Sequence, residues 1–221
     1  MTPIPQASAV GVPPRVAILS ADDWLALPDA QRHYDLVAGH LTLMPSPDLH
    51  YDLIASDLAR ALRGVVSSTE AGGMVVCRTG FVVSAPDEDQ TVLVPALAFI
   101  SAERLAREPL IASSPAGLQA SALSHIAPDL VVEVASPTQR ESDLAERVLH
   151  WRAAGVRLVW VVWPARRQVA VWALDLADTG PRTSEAEAAG GSRPRTLSAE
   201  DTLDGGEVVA DFAYTVAYLF L

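Results

Sequence analysis

The run DLVVEVAS at 129–136 constrains this chain more than any other segment. Read as a strand, it places Asp129, Val131 and Glu133 on one face and Leu130, Val132 and Val134 on the other. So apolar a strand belongs inside a sheet, and the carboxylate in its middle must be buried with it. A buried carboxylate needs a metal, a cation or hydrogen-bond donors, because leaving it unpaired costs several kcal/mol or forces it neutral. Glu133 is therefore the first candidate for a functional residue. The bland alternative is a solvated strand edge, or an ion pair with an arginine such as Arg147.

The elements around this strand alternate in kind. Ser20 and Asp23 form a capping pair for a short helix through Trp24, Leu25 and Leu27, which Pro28 should end. YDLVAGHLTL reads as a β-hairpin over 34–44 turning at Ala38-Gly39. Ser46 or Asp48 can cap a helix whose Ile54, Leu58, Ala61, Leu62 and Val65 recur at the helical period. Two β-rich runs follow, 74–85 and 91–100, and they are expected to lie beside the 129–136 strand. After it, ESDLAERVLHWRAAG puts Leu144, Val148 and Trp151 on one helical stripe, with Gly155 as its stop. VRLVWVVW and QVAVWAL then read as a strand hairpin. The chain is thus expected to be an α/β domain over 19–221 with a mixed central sheet flanked by helices.

Three segments lack the pattern of a packed element. Residues 1–18 read as a Pro-rich disordered arm with neither a basic start nor a continuous apolar block, so a cytoplasmic protein is expected. Residues 108–128 suit a surface loop, and a flexible insertion is expected at about 176–196, where Gly, Ala, Ser and Pro leave little to bury. The last residues return to apolar patterning and should dock on the domain. Cys77, the single cysteine, reads as a small buried hydrophobe.

The formal net charge of −11 opposes loose binding to phosphate backbones. All sixteen basic residues are arginine; the chain contains no lysine. There is no G-x-S-x-G, no phosphate-binding glycine loop and no metal-ligand spacing of histidines.

The order of motifs carries a resemblance. A hairpin with Tyr34 and Asp35, an MPSPDLH entry into a helix, a VPALAF strand, PDLVVEVASPT, DLAER, AAGV and a Trp-bearing strand ending at Pro164 follow one another. In this order the chain resembles the Uma2 family of the PD-(D/E)XK, restriction endonuclease-like superfamily, from about Ser20 to Leu221. The resemblance implies a divalent-metal-dependent endonuclease hydrolysing DNA, with Mg²⁺ or Mn²⁺ as cofactor. It implies Glu133 as a metal ligand and His50 at the entrance to the following helix; Asp35 could complete the metal site if the hairpin lies over the strand, with Arg147 as an electrostatic clamp. Two positions depart from the family pattern: Ala96 stands where an aspartate ligand is expected, and Arg147 where the superfamily has lysine. An arginine keeps the charge but cannot transfer a proton. Asp87, Glu88 or Asp89 could supply a replacement ligand.

These departures leave two main functions open. One is the endonuclease; the other is a catalytically inactive nuclease fold kept as a binding or regulatory module. A third, a hydrolase using Ser136 or His50, rests only on their nearness to the same site. Trp160, Trp163 and Trp172 suggest a subunit interface and hence a homodimer. No membrane partner is expected.

Overall fold

The structure, a computed structural model, describes residues 18–27, 33–44, 48–69, 72–85, 88, 90–107, 123–173 and 194–220. In chain order the helices are α1 (Ala21–Leu25), α2 (Leu49–Ser68), α3 (Ala102–Arg107) and α4 (Glu141–Ala153). The strands are β1 (Tyr34–Val37), β2 (His40–Leu43), β3 (Gly73–Cys77), β4 (Gly80–Val82), β5 (Val92–Leu93), β6 (Leu97–Ser101), β7 (Leu123–Ser124), β8 (Leu130–Val134), β9 (Leu158–Trp163), β10 (Gln168–Ala173), β11 (Arg195–Leu197), β12 (Thr202–Asp204) and β13 (Ala213–Thr215).

They form a six-stranded sheet ordered β11-β10-β9-β8-β6-β3 and a five-stranded sheet ordered β2-β1-β5-β4-β7, with β12 and β13 paired separately. The apolar strand β8 lies inside the larger sheet, antiparallel to β6 and parallel to β9. A parallel pair needs a crossover, and α4 provides it. The α/β class and the mixed sheet are as the sequence implies.

The two faces of β8 enter two different cores. Leu130, Val132 and Val134 pack with Ile54, Leu58 and Leu62 of α2 and with Phe212, Val216 and Leu219 from the C-terminal segment. Val131 packs on the other side with Leu144, Val148 and Trp151 of α4 and with Phe81. The chain therefore closes its core with its last residues, as expected. The α1 capping box forms between Ser20 and Asp23, and Asp48 caps α2 by accepting from the Tyr51 amide. The β1-β2 hairpin turns through Ala38 and Gly39, at φ 46° and 74°. Two successive positive φ values match the twist of the paired strands, which explains the glycine.

Five expectations are corrected. The runs 74–85 and 91–100 are each broken in two, and each supplies both sheets: β3 and β6 join the larger, β4 and β5 the smaller. The breaks fall at Arg78, at φ 51°, and at Pro95, which has no amide to extend a ladder. Leu123–Ser124 is a strand parallel to β4, and not loop; residues 108–122 lie outside those described. Arg195 and Thr196 belong to β11, paired with β10, so the expected insertion ends earlier; 174–193 lie outside the description. Cys77 is exposed, because it ends β3 at the sheet edge. Trp160, expected at an interface, is fully buried against Phe212, while Trp163 and Trp172 are half-buried. The arm expected at 1–18 falls outside the described residues up to 17; Ile18 is exposed.

Candidate active site

Where β1 of the smaller sheet approaches β8 of the larger, two carboxylates meet one guanidinium. Strand alternation turns Leu36 into the pocket filled by Trp24 and Val92, and so turns its neighbour Asp35 the other way, toward β8. The same alternation turns Glu133 to the Val131 side. Arg147, on α4 one turn before Trp151 and one residue before Val148, reaches between them.

The contacts are dense. Arg147 donates from Nε and Nη2 to Glu133 Oε1 at 3.1 and 2.8 Å, from Nη1 to Asp35 Oδ2, and from Nη2 to the Val94 carbonyl at 3.0 Å. The carboxylates are themselves held in place. The Val94 amide donates to Asp35 Oδ1 at 2.9 Å, and the Trp151 indole donates to Glu133 Oε1 at 2.7 Å. The side chains of Arg147, Asp35 and Glu133 are only 12%, 6% and 7% exposed. Val94 thus contributes both of its main-chain groups, and it can do so because Pro95 interrupts the strand just after it.

Burial sets the electrostatics. Desolvation pushes the Glu133 and Asp35 carboxyls above their ordinary range, and the nearby guanidinium pulls both back without cancelling the effect. For Glu133 the neighbouring charge of Asp35 adds a smaller push in the same direction. Burial alone would weaken the charge on Arg147, but Glu133 and Asp35 outweigh it and raise its pKa. Tyr51 is also pushed up, by burial first and then by the charge of Glu133.

A cavity of 480 Å³ opens over this cluster, lined among others by Asp35, Tyr51, Glu133, Ser136, Arg147 and His150. Its rim adds Arg140, Asp143 and Glu146, so acidic groups outnumber arginines along the lining. Such a lining attracts cations and repels phosphate.

Of the residues proposed from sequence, Asp35, Glu133 and Arg147 converge here. His50 does not: it is exposed in the first turn of α2, and its neighbour Tyr51 lines the cavity instead. Ser136 lines the cavity with its hydroxyl against Thr138 at 3.2 Å. Glu88 accepts from the Ala85 amide; Asp87 and Asp89 lie outside the described residues. Ala96 is buried beside the cluster's strand, its amide donating to the Val132 carbonyl. Asp129, on the β8 face that carries Glu133, is taken up by structure: it accepts from Arg104 Nε at 2.9 Å and from the Ser101 amide at 2.8 Å. Sequence reasoning missed the place of Tyr51 and the donor role of Trp151, and read His150 as a lone surface or core-edge histidine of its helix. The only available signal was the stripe 144, 148, 151, which places Arg147 and Trp151 on adjoining faces of α4. Among the described residues, no group of three or more His, Cys, Asp or Glu side chains is arranged to hold a metal. No described helix is long and apolar enough to cross a membrane.

Comparison with known proteins agrees with the architecture. The family model for Uma2, described as "Putative restriction endonuclease", matches residues 21–213. No curated protein matches the chain. Among solved structures, "a putative nuclease belonging to DUF820 from Anabaena variabilis ATCC 29413" is similar with a TM-score of 0.68 and 17% identity, over 90% of this chain and 96% of that one. A likeness at that identity shows a common fold.

Proposed function

The chain belongs to the Uma2 family, and from that premise we propose that it descends from a divalent-metal-dependent endonuclease and serves as a non-cleaving nuclease-fold module. The observation that carries this reading is Arg147, whose guanidinium lies against Asp35, Glu133 and the Val94 carbonyl together.

A metal does not fit beside it. A dication about 4 Å from a guanidinium is repelled by about 8 kcal/mol at an effective dielectric of roughly 20. That repulsion works against what two carboxylates offer Mg²⁺, which gives up its water reluctantly. Ala96 adds a methyl group and no oxygen. Arginine stays charged throughout the working pH range, so it cannot take a proton from water as a base. The acidic cavity and the net charge of −11 also disfavour a phosphate backbone approaching without a metal.

A second reading keeps the ancestral activity. It is favoured by the cavity, which opens directly over both carboxylates. On this reading DNA is the substrate, and Asp35 and Glu133 hold Mg²⁺ or Mn²⁺ after Arg147 withdraws.

Supercoiled plasmid incubated with Mg²⁺ or Mn²⁺ separates the two. The wild type should nick no faster than Glu133→Gln. Nicking by the wild type that disappears in Glu133→Gln would restore the endonuclease reading.

A further inference from the structure

Strand β2 ends the five-stranded sheet, and all four of its side chains are exposed. An open edge is a template for another strand, and proteins usually blunt one with a charge, a proline or a bulge. The strand His40–Leu43 has none of these, and no Asp, Glu or Arg stands between Asp35 and Asp48. The two-residue turn at Ala38-Gly39 fixes which main-chain groups are left over. Val37 and His40 close it as a hydrogen-bonded pair, so the antiparallel alternation turns the amides and carbonyls of His40 and Thr42 toward β1 and those of Leu41 and Leu43 outward. The Met44 amide, donating to the His33 carbonyl at 2.8 Å, keeps the same parity. Among the described residues, no hydrogen bond reaches the outward groups of Leu41 and Leu43. These two leucines are 39% and 66% exposed, and they share the face of Leu36 and Tyr34, which they oppose on β1. That face carries the small core of Trp24, Leu36 and Val92, which therefore ends in two uncovered leucines.

We propose that β2 is a self-pairing edge whose partner is a second copy of this chain, the two β2 strands running antiparallel about a two-fold axis at Thr42. One register meets three requirements together. Setting Leu41 opposite the partner's Leu43 brings outward groups to outward groups, so that two hydrogen-bonded pairs form four main-chain bonds. The same register gathers all four leucines on one face and sets Thr42 opposite the partner's Thr42, a favourable cross-strand pair. A slip by one residue would meet the inward groups of Thr42 and divide the leucines between the two faces. Charge selects the occupant. At a net charge of −11, two copies repel over most of their surface and meet best where neither is charged, whereas a basic partner finds no carboxylate on β2 to pair with. Pairing joins the two five-stranded sheets into one, and both cavities, which Thr42 lines, lie on the same side of it. Four paired residues per strand make a small interface, so the dimer is a weak one that forms with rising concentration. It does not depend on whether the cavity cleaves DNA.

Sedimentation velocity of the full chain, from low micromolar to submillimolar concentration, should show a monomer–dimer equilibrium. Leu41→Glu, at a position outside the cavity lining, should weaken it by about a hundredfold, because two leucines leave the interface and two like charges enter it on one face. Thermal unfolding at low concentration should match the wild type. Disulfide formation reads the register, in a Cys77→Ser background that removes the natural exposed thiol. Thr42→Cys should form a covalent dimer without reductant, because directly opposite residues of a non-hydrogen-bonded pair lie about 4.5 Å apart at Cα, within disulfide reach. Leu41→Cys, whose own copy sits diagonally about 7–8 Å away, should not. A wild type that stays monomeric throughout the series overturns the proposal. So does a dimer that Leu41→Glu leaves intact, which would put the contact elsewhere, as on the half-buried Trp163 and Trp172. Cross-linking of Leu41→Cys as readily as Thr42→Cys overturns it too. Should Leu41→Glu fail to fold, the two cysteine variants decide alone.

Discussion

Replacing Arg147 with methionine keeps most of the side chain's volume and removes its charge and all of its donors. In the native state Asp35 and Glu133 would then lie buried near each other with no cation between them; the Val94 amide and the Trp151 indole would remain. Breaking a buried ion pair by removing one partner costs about 3–5 kcal/mol. For a domain of this size each kcal/mol shifts the midpoint by about 2–4 °C, so a loss of about 6–20 °C is expected at neutral pH. The sign of the pH dependence follows from the carboxyl pKa values. Burial already holds both above their unfolded values, and losing the arginine pushes them further up. A carboxyl whose folded pKa is raised contributes stability below its unfolded pKa and loses it as pH rises through the folded value. The variant should therefore lie closest to wild type in acid and fall away from it as pH climbs above about 4, the unfolded carboxyl value. Urea titrations of both proteins from acid to neutral pH measure this directly. The triple variant Asp35→Asn, Glu133→Gln, Arg147→Met should recover much of the loss, because it removes the orphaned charges along with the arginine. If Arg147→Met unfolds within about 1 kcal/mol of wild type across that range, the cluster is not the buried ion network described here.

Trp151→Phe keeps an aromatic ring against Phe81, 6.0 Å away, but removes the indole donor to Glu133. It should cost about 1.5–3 kcal/mol in urea unfolding, and much less in a Glu133→Gln background, where the acceptor is neutral. Gly73→Ala forces a side chain onto φ 133° with its Cβ 2.7 Å from the Ile100 carbonyl oxygen and 2.6 Å from the Phe99 ring. Backbone strain there costs about 1–3 kcal/mol, before the clash with a neighbouring strand is added, and thermal unfolding would show it.

Much of the fold was legible because local rules decide it. The capping box at Ser20 and Asp23, the Ala38-Gly39 turn and the Leu144, Val148, Trp151 stripe each depend on residues within one turn or one hairpin. Strand alternation in DLVVEVAS assigned the two faces of β8 correctly, and with them the burial of Glu133. What the linear chain concealed were relations between distant segments. The strand runs at 74–85 and 91–100 look continuous, and only the demand for partners in two sheets splits them at Arg78 and Pro95. Cys77 looks like core, but its place at the end of an edge strand leaves it exposed. The cluster is the clearest case. Asp35, Glu133 and Arg147 could each be suspected from sequence, while Val94 could not, and a guanidinium acts as a clamp over bound metal or as the cation itself according to where it lies. That position is set by the packing of α4 against β8 and of β1 across from it, because a single buried positive charge goes where the most oxygens can surround it.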